Sequence, residues 1–346
     1  MGQNKRIEYI SLASVISAIA VVFLHTNNCF WSFSTASYWF EANIIESTFY
    51  FAVPIFFMIS GAMLIDFSKK YSLKEYFSKR FHKTVIPYVA WSLIGVVLNV
   101  YVFEKVKLGS VNLTYIVNGL LNGTLVQAYW FFIPLFCIYL AMPLFSAVSE
   151  GKRKEIFTYL AAVAFLLNIL IPFLISVCGI GIKLGLSLSV ASGYLFFTLT
   201  GYLIHTYDIE RKYRYLIYVL AVFGLVIMIT GTYSSSIAAG NIVSLYKGYY
   251  NLPCVLYSVG IFVFIKYGFV RVMKFGEVKR AVNFLNGYTF GIYLIHVFVL
   301  LAVTKFFVVD NKLLAYRLVA PFVYILISIA VIWILRKIPY VRKIVP

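Results

Sequence analysis

Ten stretches of roughly twenty residues, each almost free of charged side chains, run through this chain from end to end. They cover 10–30, 47–65, 84–103, 129–148, 156–178, 186–205, 214–233, 250–268, 285–307 and 314–335. A helix of that length matches the hydrocarbon core of a bilayer, about 30 Å thick. Only 12% of the residues are charged, against about a quarter in a soluble domain, and the mean hydropathy is +0.90. Backbone polar groups in lipid must be satisfied internally, so spanning segments are helices or closed barrels. Barrel strands are short with alternating polarity; these runs are continuously apolar, so helices follow. The expectation is an all-α, polytopic integral membrane protein of about ten transmembrane helices, forming a single domain over residues 1–346. The sixth run has the least defined start, because Lys183 and the stretch 181–192 interrupt it.

The net charge of +18 is distributed by side rather than spread. With the N-terminus inside, 23 of the 30 Lys and Arg fall in inner segments. That asymmetry is the positive-inside signal, and it places both termini in the cytoplasm. It also accounts for the basic charge without nucleic acid. Lys5 and Arg6 ahead of an apolar run resemble a signal peptide, but the run is long and no small-residue site closes it, so an uncleaved first helix is expected. Cys29, Cys137, Cys178 and Cys254 lie in or beside different runs without CxxC spacing, and read as small core residues rather than metal or redox groups. The longest segment between runs is Glu104–Ala128, outside. One local echo stands out: Phe56-Phe57-Met58-Ile59-Ser60-Gly61 resembles Phe196-Phe197-Thr198-Leu199-Thr200-Gly201. Close helix packing through small residues explains it, and hydroxyls lining a shared cavity is the alternative.

Ionisable groups inside a span are costly and mark sites. His25 sits in the first run, roughly 22 Å above Ile10 at about 1.5 Å per residue, toward the outer side. His296 sits near the middle of the ninth run, so the two rings can face one cavity. Imidazole suits proton transfer near neutral pH. His82 in a basic loop and His205 at an inner helix end read as solvated. Glu46, at the outer end of the second run, is within reach of His25. The basic cluster Lys79-Arg80-Phe81-His82-Lys83 before Pro87 reads either as a headgroup and topology signal or as a site for a phosphorylated ligand. Trp130 and Tyr129 fit an aromatic belt. No Walker loop, dinucleotide fingerprint, HExxH or GxSxG occurs.

Five segments in order resemble the bacterial acyltransferase 3 family over nearly the whole chain. They are Val21-Val22-Phe23-Leu24-His25, Val53-Pro54-Ile55-Phe56-Phe57-Met58-Ile59-Ser60-Gly61, the stretch from Arg80 to Pro87, the stretch from Trp130 to Pro143, and Phe290-Gly291-Ile292-Tyr293-Leu294-Ile295-His296. The resemblance implies a ten-helix membrane enzyme using acyl-CoA from the cytoplasm. It implies that His25 is the catalytic residue, and that a basic pair, here Arg80 and Lys83, meets the CoA phosphates. Three departures are visible. The family's arginine eleven residues before the histidine is Ser14, and its aspartate three further back is Ser11. The second member of the usual Arg-x-x-Arg pair is Lys83.

The expected function is transfer of an acyl group, acetyl above all, from acyl-CoA as co-substrate to a hydroxyl of a surface polysaccharide or its lipid-linked precursor. The multi-pass protein would reside in the bacterial inner membrane, with membrane lipids, acyl-CoA and the glycan as partners and no bound cofactor or metal. His25 would act as general base, with Lys79, Arg80 and Lys83 on the CoA phosphates. Glu46, Ser60, Tyr293 and His296 are candidate supporting groups, Ser60 and Tyr293 as oxyanion donors. The outer loops 104–128 and 234–249 would meet the glycan. Two alternatives stand beside this: a transporter or export factor with His25 and His296 in a proton path, and a non-catalytic relative in envelope assembly.

Overall fold

A computed structural model describes residues 2–182 and 184–345, with side chains from Glu8 onward. Lys183 and the side chains of Lys5 and Arg6 lie outside what is described. The helices are α1 (Gly2–Thr26), α2 (Ser37–Phe49), α3 (Ala52–Leu64), α4 (Leu73–Arg80), α5 (Ile86–Tyr101), α6 (Leu113–Asn122), α7 (Phe132–Ala147) and α8 (Glu150–Ala164). There follow α9 (Ile171–Val177), α10 (Tyr194–Thr206), α11 (Arg211–Ala239), α12 (Leu252–Tyr267), α13 (Gly276–Asn286), α14 (Thr289–Phe306) and α15 (Leu314–Arg336). The chain is all-α and polytopic. Nine helical segments among the described residues are long and apolar enough to cross a membrane.

The sixth expected span is the one not among these nine, and it is shorter than its apolar run. Instead of 186–205, the helix is α10, 13 residues or about 20 Å. Residues 184–188 are non-helical, and Asn168 pairs the backbone of Leu188 among them. Its amide donates to the Leu188 carbonyl at 2.9 Å and accepts from the Leu188 N–H at 3.0 Å. Irregular backbone beside lipid survives only when protein satisfies it in this way. The second span is longer than its run. It starts at Ser37 rather than 47, because α2 and α3 follow each other with a break at Tyr50–Phe51. Pro54 has no N–H to offer the Tyr50 carbonyl and its ring crowds it, which accounts for the break. The outer segment 104–128 also contains a helix, α6, closed by Gly123 in the left-handed conformation (φ 67°).

α1 is the most enclosed of the nine segments and packs against α2, α3, α12, α13, α14 and α15. The Phe-Phe echo resolves as packing: α3 and α10 form one of the closest helix pairs. A Cβ on Gly61 would overlap the Thr198 backbone, and a Cβ on Gly201 the Met58 backbone. The two glycines therefore let the helices cross backbone to backbone, while the Thr200 hydroxyl is buried without a partner. Buried arginines tie the ends. Arg317 donates to Glu41 (2.6 Å) and to the Tyr38 carbonyl (3.0 Å), joining α15 to α2. Arg153 pairs with Asp66 and donates to the carbonyls of Ser146 and Val148. Glu8 on α1 pairs with Lys279 on α13 at 2.6 Å, and Arg336 donates to the Gly287 carbonyl at 2.7 Å, so both chain ends come together on one face, which also carries the basic clusters. Cys29 and Cys254 are buried as expected, whereas Cys137 and Cys178 face outward. Gly61→Ala and Gly201→Ala should each cost about 1–3 kcal/mol through overpacking. Thermal melts of the detergent-solubilised protein should show both shifts, while Gly109→Ala, where a Cβ meets nothing within 4 Å, leaves the melt unmoved.

Candidate functional site

α1 brings His25 to its last turn, and α14 brings His296 to the same depth. The rings are 4.9 Å apart between centroids, with His296 Nε2 2.9 Å from His25 Nδ1. The tautomers follow from the chain of contacts. His296 Nδ1 lies 2.8 Å from the Ile292 carbonyl, which can only accept, so His296 Nδ1–H donates there. A neutral imidazole then has only a lone pair at Nε2. His25 Nδ1–H donates to that lone pair, and His25 is left with an unprotonated Nε2. The two rings expected to face one cavity meet directly, with His25 on the cavity wall and His296 buried behind it.

α14 itself is pinned by a reciprocal clasp to the turn 127–131. The Tyr129 hydroxyl donates to the Leu294 carbonyl at 2.7 Å, and the Tyr293 hydroxyl donates to the Ala128 carbonyl. In this arrangement the Tyr293 hydrogen is directed to the Ala128 carbonyl. Ser60 is committed as well, to the Phe56 carbonyl at 2.9 Å. As Ser and Thr in helices commonly do, it bonds back to the preceding turn.

Two cavities meet at these residues. One, of about 350 Å³, lies on the side away from the termini and is lined by His25, Asn28, Glu46, Gln127, Trp130 and Tyr249 among others. The second, of about 440 Å³, lies toward the basic face and is lined by Ser14, Ser60, Lys83, Tyr139, Asn286 and Thr289 among others. They share a wall of Phe56, Phe131 and Tyr293. Ser14 and His25, eleven residues apart on α1, therefore mark the two cavities about 16 Å apart along the axis. The Ser14 hydroxyl donates to Thr289 Oγ1 at 3.4 Å.

The basic cluster is reshaped by a π-helical turn at Phe81–Val85. Such a turn inserts an extra residue and rotates the helix face that follows, often at functional sites. Lys83 thereby lines the basic-face cavity. Arg80 stands behind it, its guanidinium 5.6 Å from the Tyr139 ring centroid and its Nε buried without a hydrogen-bond partner. Lys79 does not join them; its ammonium lies 3.2 Å over the Tyr71 ring. His82 is exposed and bonds the Ser78 carbonyl, and His205 is half-buried and bonded to the Tyr9 hydroxyl rather than solvated.

Glu46 lines the His25 cavity but takes other partners than His25. Its carboxylate accepts from the Asn27 amide at 3.2 Å and lies 3.7 Å from the Lys247 ammonium. Sequence reasoning missed Lys247. The ammonium sits in an aromatic cage, 3.2 Å from the Phe30 ring centroid, 4.8 Å from Trp31 and 5.1 Å from Tyr50. A lone cation in Tyr246-Lys247-Gly248-Tyr249-Tyr250 was the available signal. Burial pulls this amine down to about 8, against the upward pull of Glu46. The pair pins the segment between α11 and α12 over the outer cavity, beside Tyr249, which stacks on Tyr50 at 4.4 Å.

Removing one partner strands the other, so Glu46→Gln should cost about 3–5 kcal/mol of stability and Glu46→Gln with Lys247→Met should recover part of it, measured by chemical melts in detergent. The pH dependence has a defined sign. A lysine whose folded pKa is lowered binds fewer protons folded than unfolded, so stability should rise between pH 8 and 10.5 in the native protein. Lys247→Met should remove that component of the slope.

A family model described as an acyltransferase domain, acyltransferase 3, matches residues 7–337. No curated protein and no solved structure matches the chain. The match runs through every element that builds the paired histidines and the two cavities, and the chain belongs to the acyltransferase 3 family.

Proposed function

We propose that this membrane acyltransferase moves an acyl group, acetyl in the first instance, from cytoplasmic acyl-CoA to a hydroxyl of a surface polysaccharide or its lipid-linked precursor. The observation that carries the reading is the oriented His25–His296 pair at the junction of two cavities that lie toward opposite faces. Lys83, with Arg80 behind it, supplies positive charge for the CoA phosphates at the basic face, taken as cytoplasmic. The wall of Phe56, Phe131 and Tyr293 is where the thioester arm would approach His25.

The chemistry follows from the tautomers. The acceptor hydroxyl donates its hydrogen to His25 Nε2 as its oxygen attacks the thioester carbonyl. The tetrahedral adduct collapses, the C–S bond breaks, and the CoA sulfur takes the proton back from His25 Nε2. The products are the O-acyl sugar and free CoA, with no change at the enzyme. His296 is a positioning residue: it holds His25 Nδ1–H so that Nε2 faces the hydroxyl, and its own hydrogen rests on the Ile292 carbonyl. A sugar acceptor is supported by the outer cavity's composition. Trp31, Trp130 and Tyr249 offer flat faces for the C–H side of a pyranose, while Asn28, Gln127 and Glu46 offer donors and acceptors for hydroxyls.

Surface glycans from a deletion strain, restored with the native gene or with His25→Ala, should differ in mass spectrometry. An acyl increment is expected with the native protein and lost with His25→Ala. Unchanged acylation in all three strains, together with glycan flux through vesicles lacking acyl-CoA, would favour transport by the same two cavities. With purified protein, His25→Ala should lower kcat by about 10²–10⁴. His296→Asn should lower kcat with little change in KM for acyl-CoA, since it disturbs the base and not the donor site.

A further inference from the structure

A third cleft, of about 390 Å³, lies away from both cavities where the start of α11 meets the end of α12 at the basic face. Its walls are Arg211, Arg214, Arg271, Tyr215, Tyr218 and Tyr267, with Phe264 and Gly268. No carboxylate is among them. The adjacent acids lie outside the lining and have partners of their own, Asp208 with Lys266 at 3.7 Å and the Tyr267 hydroxyl at 3.4 Å, and Glu210 with Lys212 at 3.2 Å. Three guanidiniums in one cleft repel unless an anion is shared between them.

The arginines are arranged rather than loose. Arg211 donates to the Tyr215 hydroxyl at 3.0 Å, and the Arg214 guanidinium stacks 4.4 Å from the Tyr267 ring centroid. Arg214 Nε is sealed from solvent without a hydrogen-bond partner, and the Arg271 guanidinium forms no ion pair among the described residues. Planar, weakly hydrated guanidiniums held by aromatic rings suit the oxygens of a phosphate.

The surroundings say which phosphate. The cleft continues into an apolar, outward-facing strip: Leu216, Val219 and Phe223 on α11, with Phe264 and Phe269 beside α12, are all exposed. On a spanning helix these side chains face lipid tails. We infer that this cleft is a binding site for an anionic phospholipid, its headgroup phosphate held by Arg211, Arg214 and Arg271 and its acyl chains laid along α11. Basic pockets between helices at the inner leaflet have this role in general physical terms, each basic residue contributing about 1 kcal/mol.

Native mass spectrometry of the full-length detergent-solubilised protein tests the site, with phosphatidylglycerol, phosphatidylcholine or inorganic phosphate added. Phosphatidylglycerol should be retained in preference to phosphatidylcholine, and Arg271→Gln should reduce that preference about fivefold, with Arg214→Gln/Arg271→Gln reducing it further. Arg271 lies on an exposed turn, so its variant should keep the native melting curve. Lys212→Gln, also basic and exposed but outside the cleft, should change nothing. Equal retention of the two lipids, or equal losses in Lys212→Gln and Arg271→Gln, overturns the site. Inorganic phosphate that displaces the lipid and stabilises the protein as well overturns the assignment to lipid.

Discussion

The hydrogen-bond relay from the Ile292 carbonyl through His296 to His25 governs the centre of this protein. A buried ring hydrogen needs an acceptor, and His296 Nδ1–H finds one in the Ile292 carbonyl one turn back. That single contact fixes both tautomers in turn. It requires α1 and α14 to keep their relative depth within a fraction of an ångström, because an imidazole pair at 2.9 Å tolerates little sliding. The Tyr129–Leu294 and Tyr293–Ala128 bonds on the other side of α14 meet that requirement. The hydroxyl of Tyr293 thus serves the geometry of the histidine pair from a distance.

The cost of burying polar groups also explains where the charges went. Arg317, Arg153 and Lys247 are all nearly inaccessible, at costs that only good partners offset. Each one joins elements that apolar packing alone would leave free to slide: α15 to α2, the α7–α8 corner to the end of the second span, and the segment before α12 to α2. Glu46 is the shared point. It faces the His25 cavity, yet its charge is used to fasten the roof over that cavity through Lys247 and to hold the end of α1 through Asn27.

The length of the apolar runs and the charge asymmetry made the helical, membrane-spanning nature of the chain and nearly all its spans legible, and the two intramembrane histidines were expected to face one cavity. What the sequence hid has physical causes. The apolar run 186–205 contains both irregular backbone and helix: Asn168, some twenty residues upstream, pairs the irregular backbone at Leu188, and α10 begins only after Gly193, whose φ is 59°. The second span looked short because α2 carries Glu41 and Glu46, whose charges are neutralised by partners far along the chain. Ser60 and Tyr293 looked available because a hydroxyl in a sequence does not reveal whether its hydrogen is committed. Lys79, Arg80 and Lys83 looked equivalent until the π turn divided them, Lys83 to the cavity and Lys79 to Tyr71.

The wall between the cavities bears on the proposed reaction most directly. A thioester near an activated hydroxyl is also near water, and hydrolysis competes unless water is kept out. Phe56 and Phe131 pack at 5.9 Å and Phe131 and Tyr293 at 5.6 Å, an apolar plug at the point where donor and acceptor must meet. Tyr293 is anchored through its hydroxyl and cannot move without breaking the clasp that aligns His296. Phe56 and Phe131 have no polar tether, so any opening for the acyl group belongs to them. In the proposed reaction, an opening made by those two rings would give an apolar passage for the acyl group, while the anchored Tyr293 would hold α14, and with it His296, against His25.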